Sequence, residues 1–200
     1  MQPADGVLIE RSRNGELDAF EQIVRRYENK VYNIAYRFLG NHSDAADLAQ
    51  EVFLRIYKAL PGFRGDSSLT TWIYRITSNV CRDEIRRQQR AHVVSIDTGP
   101  GENNAYSVNH LENRGPTPEE VVEQDEFNSL VQKCLSELSE EHRLILIARE
   151  MQELSYEEIA EVMQCSLGTV KSRLSRARHA FKEKYLARRE HFSLDSRLVR

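Results

Sequence analysis

The feature that most constrains the fold is residues 155–178, SYEEIAEVMQCSLGTVKSRLSRAR. Two short apolar stripes at helical spacing begin in it: one is formed by Ile159, Ala160 and Met163, and the other by Val170 and Leu174 with Phe181 just beyond the segment. Ser155 followed by Glu158 is a capping box that marks the start of the first helix. Gln164 stands in the tight turn, where many such turns carry glycine. The pattern predicts two helices joined by a tight turn, a helix-turn-helix.

The second helix of this unit is basic on the side opposite its apolar stripe. At about 100° per residue, the outward face and its flanks carry Lys171, Ser172, Arg173, Ser175, Arg176, Arg178 and His179. Lysine and arginine bind guanine edges or phosphates, and serine can bind either. The composition is typical of a recognition helix in the DNA major groove. The alternative is an ordinary solvated basic face on a terminal helix.

Helical periodicity also organises the rest of the chain. It predicts helices over residues 17–39, 44–60, 69–90, 118–135, 140–151 and 167–188. Residues 91–118 are rich in Gly, Asn and Pro and have no sustained apolar face, which predicts a flexible linker. Thr117, Pro118 and Glu120 predict a capped helix start just after it. We therefore expect an all-α protein of two small helical domains, residues 1–90 and 119–190, followed by a tail at 191–200.

Composition excludes several classes of function. No apolar run of about 18 residues or secretory leader is present, so we expect a cytoplasmic protein without direct membrane insertion. The three cysteines and six histidines are scattered, which predicts no metal and no cofactor; buried thiols are favoured over redox sensing. The net charge of −3 hides an acidic stretch at 112–126 and a basic one at 171–189.

Two helices of the first domain have outward faces that suggest contacts. On helix 44–60, the face opposite the apolar stripe carries Asp47, Gln50, Glu51, Leu54, Tyr57 and Lys58. This mixture suggests a partner surface, although a single exposed leucine needs no explanation.

Helix 69–90 has two distinct faces. The buried stripe is formed by Leu69, Trp72, Ile73, Ile76 and Val80. The opposite face is lined by Thr71, Arg75, Ser78 and Arg82, with Asn79 and Arg86 at its border. Trp72 is interpreted as a core residue rather than a stacking platform for a base.

Three motifs in order, DAADLAQEVFLRIYKAL, FRGDSSLTTWIYRITSNVCRD and ELSYEEIAEVMQCSLGTVKSRLSRAR, resemble bacterial sigma factors of the extracytoplasmic-function type in the sigma-70 family. The resemblance implies that the first domain is sigma region 2 and the second is region 4. It also implies binding to core RNA polymerase through the β′ clamp helices and the β flap. It assigns the clamp contact to Asp47, Gln50, Glu51, Leu54 and Lys58.

The resemblance further assigns capture of a flipped minus-ten base to the loop of Phe63, Arg64, Gly65, Asp66, Ser67 and Ser68, with Asn79 nearby. The polar face of helix 69–90, with Thr71, Arg75, Ser78, Arg82 and Arg86, is predicted to meet the same DNA. The minus-thirty-five element is assigned to Lys171, Ser175 and Arg176. An anti-sigma partner and a stress or envelope regulon are implied by the resemblance alone, and the linker is expected to thread through the polymerase.

Two other classes of function compete with a sigma factor. A stand-alone helix-turn-helix regulator would share residues 155–189 but would need neither the loop nor the acidic helix face. An enzyme is disfavoured because no catalytic triad order, phosphate-binding loop or metal cluster is present in the sequence. Because the chain is acidic overall, we expect weak promoter binding by the free protein and specific binding only with core polymerase.

Overall fold

The computed structural model describes the backbone of residues 4–94 and 118–198 and the side chains of residues 4–90 and 124–189. These residues are helical, without strands among them, which confirms the predicted all-α class. In the described residues, the α-helices are α1 Asp5–Arg13, α2 Leu17–Leu39, α3 His42–Ala59, α4 Leu69–Val94, α5 Pro118–Ser136, α6 Glu140–Leu146, α7 Tyr156–Met163 and α8 Leu167–Leu198.

Helices α1 to α4 pack around one core. Gly40 ends α2 in a left-handed conformation (φ 77°), which glycine adopts without strain, and its N–H bonds the carbonyl of Tyr36 at 2.7 Å. Asn41 then caps α3 by accepting hydrogen bonds from the next turn. Only Gly40 and Asn41 separate the end of α2 from the start of α3, so α3 folds back onto α2. Helix α1 was not predicted; its Asp5 pairs with Arg26 and accepts a hydrogen bond from Tyr27 Oη at 2.6 Å.

Helix α4 begins where Ser68 accepts a hydrogen bond from the Thr71 N–H at 3.1 Å. Four members of its predicted stripe are buried and Ile76 is partly buried. The Trp72 ring packs on Phe63 with 5.0 Å between ring centroids, which confirms that Trp72 is a core residue. The helix continues to Val94, beyond the predicted end at residue 90.

Helices α5 to α8 form the second unit. Ser155 and Glu158 make the predicted capping box at the start of α7, and Gln164 ends that helix in a left-handed conformation (φ 50°). Val162 and Ala177 are buried although they were not predicted, whereas Met163 and Phe181 are only partly buried. A π-helical turn, Ile147–Met151, follows α6 inside a predicted single helix.

The structure tests the predicted end of the last helix, but it does not describe most of the predicted linker. The cap at Thr117 lies outside the described residues with the rest of residues 95–117, and so do the side chains of residues 118–123 in the acidic stretch. The predicted end of the last helix at residue 188 was wrong, because α8 continues to Leu198. The segment EHFSLDSRL contains no glycine or proline that would end a helix.

The two units also contact each other, α2 against α5 and α4 against α7.

Candidate functional site

The outward face of α3 is open. Asp47, Gln50, Glu51, Leu54 and Lys58 are all exposed, as the helical period predicts. Leu54 is 61 % exposed, and the neighbouring Tyr57, also exposed, makes an edge contact with the Phe20 ring. Arg55 pairs with Glu51 at 2.6 Å along the same helix. The face therefore presents an apolar residue within a charged surround, a composition suited to contact with another protein.

The loop before α4 has a buried anchor and an exposed tip. Phe63 is buried against Trp72, so its ring is a core contact rather than an open platform for a base. Arg64, Gly65 and Asp66 are exposed, and Gly65 adopts a φ of 79° that favours glycine. Ser67 is partly buried and Ser68 and Asn79 are exposed. Polar groups that could bond a base edge are thus concentrated at the tip and at Asn79.

The polar face of α4 is not open along its length, which corrects the orientation predicted for two of its residues. Thr71 is 1 % exposed and Ser78 is fully buried. The second unit covers this side, and Thr71 Oγ1 donates to Glu158 Oε1 at 2.5 Å. Between them, Tyr74 is buried and its Oη donates to the Leu144 carbonyl of α6 at 2.8 Å. Helix α4 is therefore buried on two sides.

The arginines of this face meet acidic side chains of the second unit. Arg75 lies 3.7 Å from Glu161 of α7. Arg82 and Arg86 both reach Glu140 of α6, at 3.2 Å and 3.8 Å. The basic groups predicted to track phosphates are thus paired with carboxylates in this conformation.

A signal for this second buried side exists in the sequence. Tyr74, Cys81 and Ile85 recur at spacings of seven and four, which places them on one face of α4. Tyr74 and Cys81 are buried, and Ile85 packs partly against the core. Burial raises the pKa of the Cys81 thiol well above its ordinary range, as expected for a packed rather than reactive cysteine. The polar residues interleaved with this stripe concealed it.

A second contact between the units caps the end of α2. Arg143 of α6 donates to the Phe38 carbonyl and, at 2.8 Å and 2.7 Å, to the carbonyls of Leu135 and Ser136 at the end of α5. Gln132 of α5 donates to the carbonyls of Tyr36 and Arg37 at 3.2 Å and 3.3 Å. Carbonyls at a helix C-terminus lack partners within the helix, so these side chains satisfy them from the other unit.

Helix α8 presents most of its predicted face to solvent. Lys171, Ser172, Ser175, Arg176 and His179 are exposed. Two flanking residues are engaged elsewhere: Arg173 lies 3.6 Å from Glu141, and Arg178 makes two hydrogen bonds to Glu150 at 2.9 Å and 2.7 Å. The hydrogen bond to Glu150 raises the pKa of Arg178.

Comparisons with known proteins follow this division into two units. The family model for Sigma-70 region 2 matches residues 23–91, and the one for Sigma-70, region 4 matches residues 129–180. The chain is 37% identical over 183 residues to the RNA polymerase sigma-H factor of Pseudomonas aeruginosa, covering 90% of this chain and 92% of that protein. This chain belongs to the sigma-70 family. It is also 37% identical over 186 residues to the ECF RNA polymerase sigma-E factor of Escherichia coli, covering 92% and 95% of the two chains.

Solved structures show the same fold. The sigma factor RpoE of Bartonella quintana, in complex with the anti-sigma factor NepR, matches with a TM-score of 0.62 and 25% identity over 82% of this chain and 95% of that one. CnrH, in complex with the cytosolic domain of CnrY, matches with a TM-score of 0.65 and 23% identity, covering 92% and 99%. The protein is a sigma factor of the ECF type that binds RNA polymerase core and promoter DNA; it is not an enzyme.

Family membership decides between the predicted alternatives. A stand-alone regulator is excluded because both sigma regions are matched in order.

Within the described parts of the chain, no cluster of three His, Cys, Asp or Glu side chains could hold a metal. Among the same residues, we find no helix whose length and hydropathy would let it cross a bilayer.

Proposed function

We propose that the chain divides promoter recognition among three surfaces. The α3 face of Asp47, Gln50, Glu51, Leu54 and Lys58 binds the β′ clamp helices. The loop at residues 63–68 with the polar face of α4 and Asn79 reads the minus-ten element, and the α8 face reads the minus-thirty-five element. The observation that carries this division is the exposure of the α3 and α8 faces on separate units, each within a different sigma region.

The chemistry of each surface supports its role. Removing a base from the stack costs a few kcal/mol, which a pocket offering hydrogen bonds to the base edge can offset. Asp66 and Asn79 are exposed near the start of α4 and along it, and they supply such groups. On α8, Lys171, Ser175 and Arg176 combine groups for guanine edges and phosphates. No covalent step is required of the protein.

The remaining expectations concern the setting of the protein. We place it in the cytoplasm, where polymerase and promoter meet, and expect it to serve a stress or envelope regulon under an anti-sigma partner. The expected partner is supported by the solved structure of RpoE, which is in complex with the anti-sigma factor NepR. The structure of CnrH likewise contains the cytosolic domain of CnrY. The β flap is the expected contact of the second unit on polymerase.

Run-off transcription tests the proposal directly. The full chain is added to bacterial core polymerase with a library of random promoters, and the transcripts are sequenced to recover the elements recognised. We expect transcripts enriched for one pair of elements. The absence of any transcript that depends on both the protein and a specific promoter sequence would refute the proposal.

Two substitutions test the division of labour. Leu54→Asp should abolish competition for core polymerase because it places a charge in the apolar centre of the α3 face. Leu17→Asp is the matched control, since Leu17 is equally exposed, 61 %, on α2 outside that face. Only the first change should affect core binding.

Arg176→Ala should weaken selectivity at the minus-thirty-five element, by about 1–3 kcal/mol if the guanidinium contacts a base edge, and leave core binding intact. Lys182→Ala removes an exposed positive charge from another side of the same helix and serves as its control. Footprinting and competition for core separate the two effects. If Leu54→Asp and Arg176→Ala gave the same defect, the division would be wrong.

A further inference from the structure

Glu158 has two sets of partners on two different helices. Its Oε2 accepts a hydrogen bond from the Ser155 N–H at 2.9 Å, which completes the capping box of α7. Its Oε1 accepts from Thr71 at 2.5 Å and from Ser68 at 3.3 Å, across the contact between the units. Because the cap holds the side chain in one orientation, Glu158 is directed at the start of α4 with little loss of rotamer freedom on contact.

Two more carboxylates extend this contact along α4. Glu161 lies one turn after Glu158 and reaches Arg75, and Glu140 lies between Arg82 and Arg86. Carboxylates and phosphates are both anionic acceptors for arginine and hydroxyl donors. The three acids therefore meet the same kinds of groups on α4 that a DNA backbone would need.

We propose that Glu140, Glu158 and Glu161 hold the minus-ten surface of α4 closed in the free protein, occupying positions that DNA phosphates take after the units separate. The inference rests on the proposed function of the α4 face. Hydrogen bonds, first from Thr71 and then from Ser155, lower the pKa of Glu158, so the carboxylate is ionised at neutral pH. The faces of α3 and α8 remain exposed in the closed form. Core polymerase can therefore dock on α3 before the minus-ten surface opens.

Glu158→Gln is the sharpest perturbation, because glutamine also completes a capping box and keeps the size of the side chain. The change removes the charge from the contact with Thr71 and Ser68. Glu157→Gln is the matched control: Glu157 is exposed in the same turn of α7 and its substitution alters the net charge equally. Thr71→Val tests the same contact from the α4 side without changing the net charge.

Two measurements are made on the full chain. Small-angle X-ray scattering gives the radius of gyration of each free protein. Fluorescence anisotropy gives its affinity for a labelled single-stranded oligonucleotide that carries the minus-ten element recovered by run-off transcription. The emission of the lone tryptophan, Trp72, which is buried in the first unit, verifies that the fold is kept.

We expect a larger radius of gyration for Glu158→Gln and Thr71→Val, and an unchanged one for Glu157→Gln. Apparent affinity scales with the fraction of molecules in the open form, and loss of one charge-assisted contact should increase that fraction about tenfold. Glu158→Gln should therefore bind the oligonucleotide about tenfold more tightly than the Glu157→Gln control. Raising the ionic strength should reduce the difference, because the contacts are partly exposed.

Equal radii of gyration for Glu158→Gln and Glu157→Gln would overturn the inference, whatever the protein does in transcription. Expansion without any gain in affinity would also overturn it, because the contact would then not be inhibitory. Failure of the proposed function is a separate result: the run-off assay would yield no promoter element, and the scattering comparison would still decide whether the three acids hold the units together.

Discussion

The hydroxyl of Tyr74 offers a direct test of the contact between the two units. Tyr74 is fully enclosed, and its Oη donates to the Leu144 carbonyl at 2.8 Å, 70 residues away in sequence. Tyr74→Phe removes this donor and keeps the ring. Any loss of stability then reports one hydrogen bond across the contact, with no change in apolar packing.

The expected magnitude follows from the burial of both groups. A neutral hydrogen bond contributes about 0.5–1.5 kcal/mol, and a carbonyl left without its buried partner can raise the cost to about 2 kcal/mol. For a chain of this size, each kcal/mol corresponds to a shift in melting temperature of about 2–4 °C. Tyr74→Phe should lower the melting temperature, measured by circular dichroism at 222 nm, by about 1–8 °C, and it should increase the radius of gyration.

Tyr27→Phe is the matched control, since Tyr27 is also buried and its Oη donates to Asp5 within the first unit. Burial and the hydrogen bond to Asp5 raise the pKa of Tyr27 to about 12, so it is a neutral donor throughout the accessible pH range. Its substitution should lower the melting temperature without expanding the molecule. If Tyr74→Phe left both quantities unchanged, or if the two variants behaved alike, the reasoning about the contact would be refuted.

Three further predictions concern single residues. Gln164→Gly should raise the melting temperature by a few degrees, corresponding to about 1 kcal/mol, because Gln164 has a φ of 50° that glycine adopts freely; a lower melting temperature would contradict this. The pKa of Glu158 is lowered in the closed form, chiefly by the Thr71 hydrogen bond, so its contribution is present above the ordinary value of about 4.3 and is lost as pH falls through the lowered value. Scattering should show expansion as the pH falls below that ordinary value, and the expansion should be smaller in Glu158→Gln because glutamine has no carboxyl to protonate. Glu161, which faces Arg75 at the same contact, supplies the expansion that remains. Arg143→Lys should destabilise the protein by about 2 kcal/mol in urea unfolding, since a lysine ammonium is a compact point charge that lacks the guanidinium fork joining Phe38 to the end of α5; an unchanged midpoint would exclude the fork as a source of stability.

Local patterns predicted most of the helices. The start of α7 followed from Ser155 and Glu158, and the end of α2 from Gly40, because caps depend on neighbouring residues. The exposed faces of α3 and α8 followed from the helical period, since each packs through a single apolar stripe. Helix α1 escaped prediction because DGVLIERSR spans little more than two turns, too few to establish a period.

The polar face of α4 was harder to interpret, because the group that buries Thr71 lies 87 residues away. A hydroxyl on a helix surface is compatible with solvent, with DNA and with a carboxylate from another helix, and the period of the helix does not distinguish them. The apolar spacing of Tyr74 and Cys81 was the available evidence for a protein contact. It was masked because Thr77 and Ser78, which lie between them on the same face of the helix, are polar.

The composition of α4 is consistent with two successive partners. Small hydroxyl side chains such as Thr71 and Ser78 allow close approach by either a helix or a nucleic-acid backbone, and both are buried here by protein. What makes the contact reversible is its charge: Arg75, Arg82 and Arg86 meet carboxylates at 3.2 to 3.8 Å, distances typical of modest, partly screened ion pairs. An apolar surface of the same extent would hold the units together more permanently and would not suit DNA. Arginines paired with carboxylates can instead be transferred to phosphates with little change in the number of ionic contacts, so opening of the units and binding of DNA can be coupled in one exchange.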